Sequence, residues 1–147
     1  MTEPLRVLGI DTSLRSTGVG VVEARGNSHT VVEYGRIRIP AGTPLSATLA
    51  RLQAGIEELI ERTHPAAVAI EGIFFCKNVK TAVVLGEARG AVIAACARRV
   101  LPVYEYAPRR VKQAVVGFGA ADKGQVQKMI QRLLALPEAP PEDAADA

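Results

Sequence analysis

Tryptophan is absent from the 147-residue chain, and aromatic residues make up only 4% of it. Its two cysteines, Cys76 and Cys96, cannot build a disulfide framework. With only two histidines beside them, the usual Cys/His zinc patterns are excluded as well. Long apolar runs are missing: the longest, Ala91 to Ala97, is far short of the ~20 residues that span a bilayer. The start, Met1-Thr2-Glu3-Pro4, has neither the basic residues nor the apolar run of a secretory signal. A reducing cytoplasmic location without membrane contact is the expectation. Repeats and low-complexity linkers are also absent, apart from the Pro/Ala/Glu-rich stretch 137–142.

What is present is a globular composition, 48% hydrophobic and 22% charged. The length predicts one domain over residues 1–147, at roughly 100–200 residues per domain. Such a chain buries about two thirds of its unfolded surface and needs no covalent staple. Net charge is +3, but it is unevenly spread. All 18 Lys and Arg precede Pro137, whereas Glu138, Glu142, Asp143 and Asp146 follow it. Residues 1–136 therefore carry a net +7, 18 cations against 11 acids, which suits a polyanionic partner.

Leu5 to Ile10 is apolar on both faces, as a central strand is, and ends at Asp11. After a polar loop, Gly18 to Val22 predicts a second strand. A turn at Gly26 to Ser28 and the alternating segment Val31 to Ile39 predict a third, completing an antiparallel meander. The period then changes. Leu45, Leu49, Leu52, Ile56 and Leu59 recur at helical spacing, with Pro65 closing the helix. Val68 to Ile70 predicts a short buried strand ending at Glu71. A long helix follows over about Asn78 to Arg99, and Pro102 to Tyr106 is a fifth strand. Basic helical segments occupy Pro108 to Val116 and Asp122 to Leu134, and Pro140-Pro141 stands where a last helix can start. The order predicts an α/β fold with a five-stranded mixed sheet flanked by helices.

Asp11 and Glu71 each stand at the carboxyl end of a buried strand, the edge where open α/β sheets bind ligands. Asp143 and Asp146, three apart on a predicted helix, share a face. Four converging acids repel one another and resist ionisation unless a cation is present. Oxygen ligands suit hard divalent ions, chiefly Mg²⁺ or Mn²⁺. Two such ions can activate a water and stabilise a leaving oxygen in phosphodiester hydrolysis. Each acid also has an ordinary reading, as a strand end or as a favourable charge at a helix N-terminus.

Leu8-Gly9-Ile10-Asp11 followed by Leu14-Arg15-Ser16-Thr17-Gly18 resembles the opening of the RuvC Holliday-junction endonucleases. Ala69 to Asn78 is similar to that family's second acidic motif, and Leu85-Gly86-Glu87-Ala88-Arg89-Gly90 to its long-helix motif. Tyr106-Ala107-Pro108, Val111-Lys112-Gln113 and Val116-Gly117 continue the likeness, and Asp143-Ala144-Ala145-Asp146-Ala147 resembles its last acidic motif. The resemblance implies an RNase H-like fold and a homodimer that makes paired nicks in four-way junction DNA. It implies two Mg²⁺ ions per site, replaceable by Mn²⁺, and places the catalytic and metal-binding acids on Asp11, Glu71, Asp143 and Asp146. It also implies cooperation with the RuvA–RuvB branch-migration complex and a preference for certain sequences at the crossover.

Three features differ from the family pattern. Thr12-Ser13 stands where Pro-Gly is usual, which predicts a reshaped loop, because serine lacks glycine's access to positive φ. Gly72 and Glu87 replace common glutamines. Asp146 is followed by a single residue, so the last helix is expected to be short, poorly anchored and the least protected part of the fold.

Phe74 matches the aromatic that the family inserts at the junction, and apolar wedges do unstack DNA steps; core packing is the other usual fate of phenylalanine. Arg109, Arg110, Lys112, Lys123, Lys128 and Arg132 form either a solvated helical face or a set of phosphate contacts. Lys112 and Lys123 match family lysines implicated in DNA handling; Arg109 and Lys77 join them as candidates, with Lys80 behind. Gly86 and Gly90 lie one helical turn apart, where the helix either presses on the sheet or meets a second subunit across a twofold axis. His29, His64, Cys76 and Cys96 read as structural. Two alternatives stand beside the endonuclease reading. One is a nucleotide-binding module of the actin-like ATPase class, whose opening Ile10 to Val22 also resembles. The other is an inactive junction-binding remnant.

Overall fold

Five strands hydrogen-bond into one mixed sheet in the computed structural model, which describes residues 3–72 and 78–147. Phe74 and Lys77, with Phe75 and Cys76, lie outside the described residues. β1 (Leu5–Asp11), β2 (Ser16–Arg25) and β3 (Ser28–Arg38) form the antiparallel meander. α1 (Leu45–Thr63) leads to β4 (Ala67–Glu71), and α2 (Val79–Arg98) leads to β5 (Val103–Tyr106). α3 (Pro108–Val116), α4 (Lys123–Leu133) and α5 (Glu142–Asp146) complete the chain. The strand order is β3-β2-β1-β4-β5, with β4 parallel to both β1 and β5.

The meander is longer than its apolar pattern. β2 extends to Arg25 and β3 begins at Ser28, because backbone pairing continues past the last apolar residues that reach the core. Arg25 pairs with Ser28 across a two-residue turn in which Gly26 takes φ 60°, the sign a tight hairpin needs. α1 stops at Thr63 because His64 turns left-handed and donates its N–H to the Ile60 carbonyl, one residue before Pro65. Asn78 caps α2 by accepting the N–H groups of Lys80 and Thr81. Asp122 and Gln125 form a reciprocal capping box that starts α4 at Lys123.

One face of the sheet carries the main core. Leu8, Ile10, Val19, Val21, Val68 and Ile70 pack under Leu52, Ile56 and Ile60 of α1 and under Ala88, Val92 and Cys96 of α2. Burial pushes the Cys96 thiol up to about 11, which suits a small packing residue. The buried side of α2 is made by Ala88, Val92, Ala95 and Cys96. Gly86 and Gly90 are exposed and have nothing within 4 Å of where a Cβ would stand, so they do not seat the helix on the sheet. They continue an exposed line from Val79 (78% exposed) and Val83 (55%) at helical spacing.

Candidate active site

Asp11 closes β1 and Glu71 closes β4. The two strands run parallel with Ile10 beside Ile70, and both isoleucines point into the main core. Side chains alternate across a strand, so both carboxylates emerge on the opposite face. That face is nearly bare at the centre of the sheet. Asp11 pairs with Gly18 and Gly9 with Gly20, so backbone rather than side chain is presented there.

α5 occupies the bare patch. A Cβ on Gly18 would stand 1.8 Å from the Asp143 carbonyl oxygen, and one on Gly9 would stand 1.8 Å from a backbone oxygen of Ala147. No other residue type permits this approach, which brings Asp146 to the strand ends. Ala144 and Ala145 are buried against β2, and Pro140 is buried just ahead of them. Gln127 of α4 donates to the Pro140 carbonyl at 3.0 Å. The expectation of a poorly anchored last helix is therefore corrected: the anchor is small residues fitted to glycines, a contact invisible to a search for large apolar groups.

Carboxylate oxygens of Asp11, Glu71 and Asp146 lie within 4.8 Å of one another. Burial and the nearby charges of Glu71 and Asp146 push Asp11 up to about 7. Burial and Asp146 raise Glu71, partly offset by a hydrogen bond with Asp11 and by Lys112 and Lys123. Burial raises Asp146 as well, against the pull of Lys123 and Lys112. Three crowded, half-buried carboxylates with only oxygen donors fit a hard divalent cation, which would remove the repulsion. Asp11, Glu71 and Asp146 are thus, among the described residues, a set that could hold a metal ion.

Asp143 faces slightly aside. It accepts a hydrogen bond from Ser16 Oγ at 2.5 Å, and Arg36 Nε lies 3.7 Å from its other oxygen. It still shares a hollow of about 520 Å³ with Asp11, Asp146 and Ser16. Ser13 avoids the left-handed region, and its loop closes on Thr17: the Thr17 hydroxyl donates to the Ser13 carbonyl and accepts the Ser13 N–H.

Lys112 and Lys123 line a crevice of about 480 Å³ with the three clustered acids. Lys123 is steadied 3.4 Å from Glu142, and that hydrogen bond raises its pKa. Arg109, exposed on α3, rests over Gly119 outside this crevice. Sequence reasoning missed Ser16, Arg36 and Arg89. Strand alternation places Ser16 on the face of Gly18, and the meander register sets Arg36 opposite Gly18, so a worked register would have found both. Arg89 lines the crevice beside Glu71, tied to Glu105 at 2.8 Å, with a buried Nε that has no partner among the described residues.

Residues 7–147 match the family model described as crossover junction endodeoxyribonuclease RuvC. The chain belongs to the RuvC family. A RuvC of Moorella thermoacetica, named crossover junction endodeoxyribonuclease, is 51% identical over 142 residues, covering 96% of this chain and 85% of that protein. A RuvC of Thermus thermophilus, solved in complex with a Holliday junction substrate, superposes with TM-score 0.91 at 36% identity, covering 97% and 88% of the two chains. The yeast mitochondrial Holliday junction resolvase shares the fold, with TM-score 0.65 at 13% identity over 97% of this chain and 75% of that one. RuvC membership decides against the nucleotide-binding alternative. Among the described residues, no helix is long and apolar enough to cross a membrane.

Proposed function

We propose that this RuvC-family chain is one nuclease domain over residues 1–147 that resolves four-way DNA junctions by paired phosphodiester hydrolysis in recombination and repair. The observation that carries the reading is the Asp11–Glu71–Asp146 cluster opening into a crevice shared with Lys112 and Lys123. Acids alone would repel a phosphate backbone. The two lysines supply the attraction that brings it to the carboxylates.

Asp11, Glu71 and Asp146 would hold two divalent ions, Mg²⁺ with Mn²⁺ able to substitute, and Asp143 joins them as the fourth acid from its place beside Ser16. When bound, such ions lower the pKa of a water and stabilise the leaving oxygen. The chain's own part is positional. β1 and β4 fix two carboxylates on rigid strand ends, and the glycine patch fixes the third. Lys112 and Lys123 orient the backbone, Arg109 extends that contact outside the crevice, and Lys77 is assigned as a further DNA contact. Phe74 is assigned as the wedge that unstacks the crossover.

Paired nicks need two such sites facing one junction. The exposed line Val79, Val83, Gly86 and Gly90 supports α2 as the homodimer contact, because glycines without neighbours allow two helices to approach closely. We further assign a cytoplasmic location and handover from a RuvA–RuvB branch-migration complex. The test is a synthetic four-way junction, end-labelled on each strand in turn, incubated with the protein and Mg²⁺. Symmetric nicks in opposing strands, with matched linear duplex left intact, are expected. An uncut junction would make the chain a binding remnant, and equal cutting of duplex would remove the structural selectivity.

A further inference from the structure

A second hollow adjoins the acid site beside Asp143, and Lys112 is not among the residues that line it. It is about 440 Å³ in volume and is walled by Arg15, Arg36, Arg38 and Pro40. It shares Ser16 and Arg36 with the hollow that holds Asp143, Asp11 and Asp146, so the two are continuous. We propose that Arg15, Arg36 and Arg38 are a phosphate-binding track for the DNA backbone as it leaves the acid crevice on the Asp143 side. The proposal rests on the endonuclease reading and adds a binding surface to it.

Strand geometry assembles the track. Arg36 and Arg38 are two apart on β3 and so share a face, and Arg38 pairs with Ser16 at the start of β2. Arg15 sits in the preceding loop, where its guanidinium donates to the Pro40 carbonyl at 3.2 Å and is held at the rim with other N–H groups left over. Arg6, Arg62, Arg89, Arg98 and Arg99 each pair with a glutamate, while Arg25, Arg51, Arg109, Arg110 and Arg132 stand unpaired among the described residues, none of them in the wall of this hollow. Arg15 and Arg38 have no carboxylate partner among the described residues, and Arg36 has only the 3.7 Å contact with Asp143. Three close cations with one acid between them cost repulsion unless an anion spends time there. Charges also guard sheet edges, and β3 is an edge strand. Edge protection would spread the charges along the strand, yet Val32 and Tyr34 are exposed farther along, and the arginines gather at the acid end. Lys112 lines the acid crevice and Lys123 lines both that crevice and the Asp143 hollow, so a strand running from the crevice across the carboxylates to the arginines meets cations all along its path.

The experiment is the salt dependence of four-way-junction binding, followed by fluorescence anisotropy in EDTA so that no cleavage intervenes. Each lost phosphate contact reduces the log–log slope by about 0.9, which makes the affinity lost between 50 and 200 mM salt roughly threefold smaller. R15A and R38A are each expected to show this reduction, and R38K to keep the parent slope. R62A, whose arginine is bound to Glu33, is the control and keeps it too. Circular dichroism verifies that each variant is folded. If the parent binds junction and R15A and R38A keep its slope, the track is overturned while the endonuclease reading stands. If the parent fails to bind junction at all, both fall.

Discussion

Replacing Asp11 by asparagine preserves shape and removes one of three crowded charges. Asp11 is pushed up to about 7 from the ordinary 3.8, first by burial and then by Glu71 and Asp146. The sign follows from linkage. A raised pKa means that the folded state holds the proton more tightly than the unfolded chain does. The stabilisation this brings is fully present below about pH 3.8 and is lost as pH rises through 7. At pH 8 the metal-free protein therefore carries the whole electrostatic strain. Three units at 1.36 kcal/mol each set a ceiling of about 4 kcal/mol, and screening by solvent at this half-buried site reduces it to ~2 kcal/mol. At roughly 3 °C per kcal/mol for a chain of this size, metal-free D11N melts about 6 °C above the parent at pH 8. Most of that gap closes by pH 5, where the parent is already protonated. Millimolar Mg²⁺ raises the parent's melting temperature more than the variant's, since binding to the folded state alone adds stability by mass action. Cleavage is lost while junction binding persists. The assay is calorimetry of both proteins at pH 5 and 8, with EDTA and with Mg²⁺. An equal or lower melting temperature for metal-free D11N at pH 8 would refute the strain argument.

G18V drives a branched side chain into the backbone of α5, which a Cβ alone would approach to 1.8 Å. It is expected to cost about 1–3 kcal/mol in denaturant melts and to weaken Mn²⁺ binding by displacing Asp146. K112A and K123A each flatten the salt slope of junction binding by about one unit, whereas K128A leaves it unchanged. G86E placed on the exposed line of α2 leaves the unfolding free energy of the chain within about 0.5 kcal/mol of the parent's yet converts a dimer to monomer in sedimentation velocity, with loss of paired nicking.

Much of this was legible in the chain because it depends on local pattern. Period-two and period-3.6 hydrophobicity placed five strands and their helices, and strand ends marked Asp11 and Glu71 as acids at a binding edge. The two-apart glycines Gly18 and Gly20, with Gly9 on the neighbouring strand, also stood in plain view, but their meaning was non-local. Only pairing in register puts them on one bare face, and only the fold sets α5 on it. Anchoring by small residues escapes a sequence search because Ala144 and Ala145 look like nothing in isolation; their stabilisation comes from the shape they meet.

Sequence by itself determined the fold class, the family likeness and the residue types of the site, since these follow from periodicity and from which side chains carry negative charge. Tertiary structure alone decided how the acids divide. Asp143 and Asp146 are equivalent as letters three apart on one short helix. Asp146 turns to Asp11 and Glu71, while Asp143 is held by Ser16, 127 positions away in the chain, and by Arg36 across the meander. The same folding placed Arg15, Arg36 and Arg38 around one hollow, although nothing in their spacing announces it. Charges act through space at distances of a few ångströms, and chain separation says little about which of them will meet.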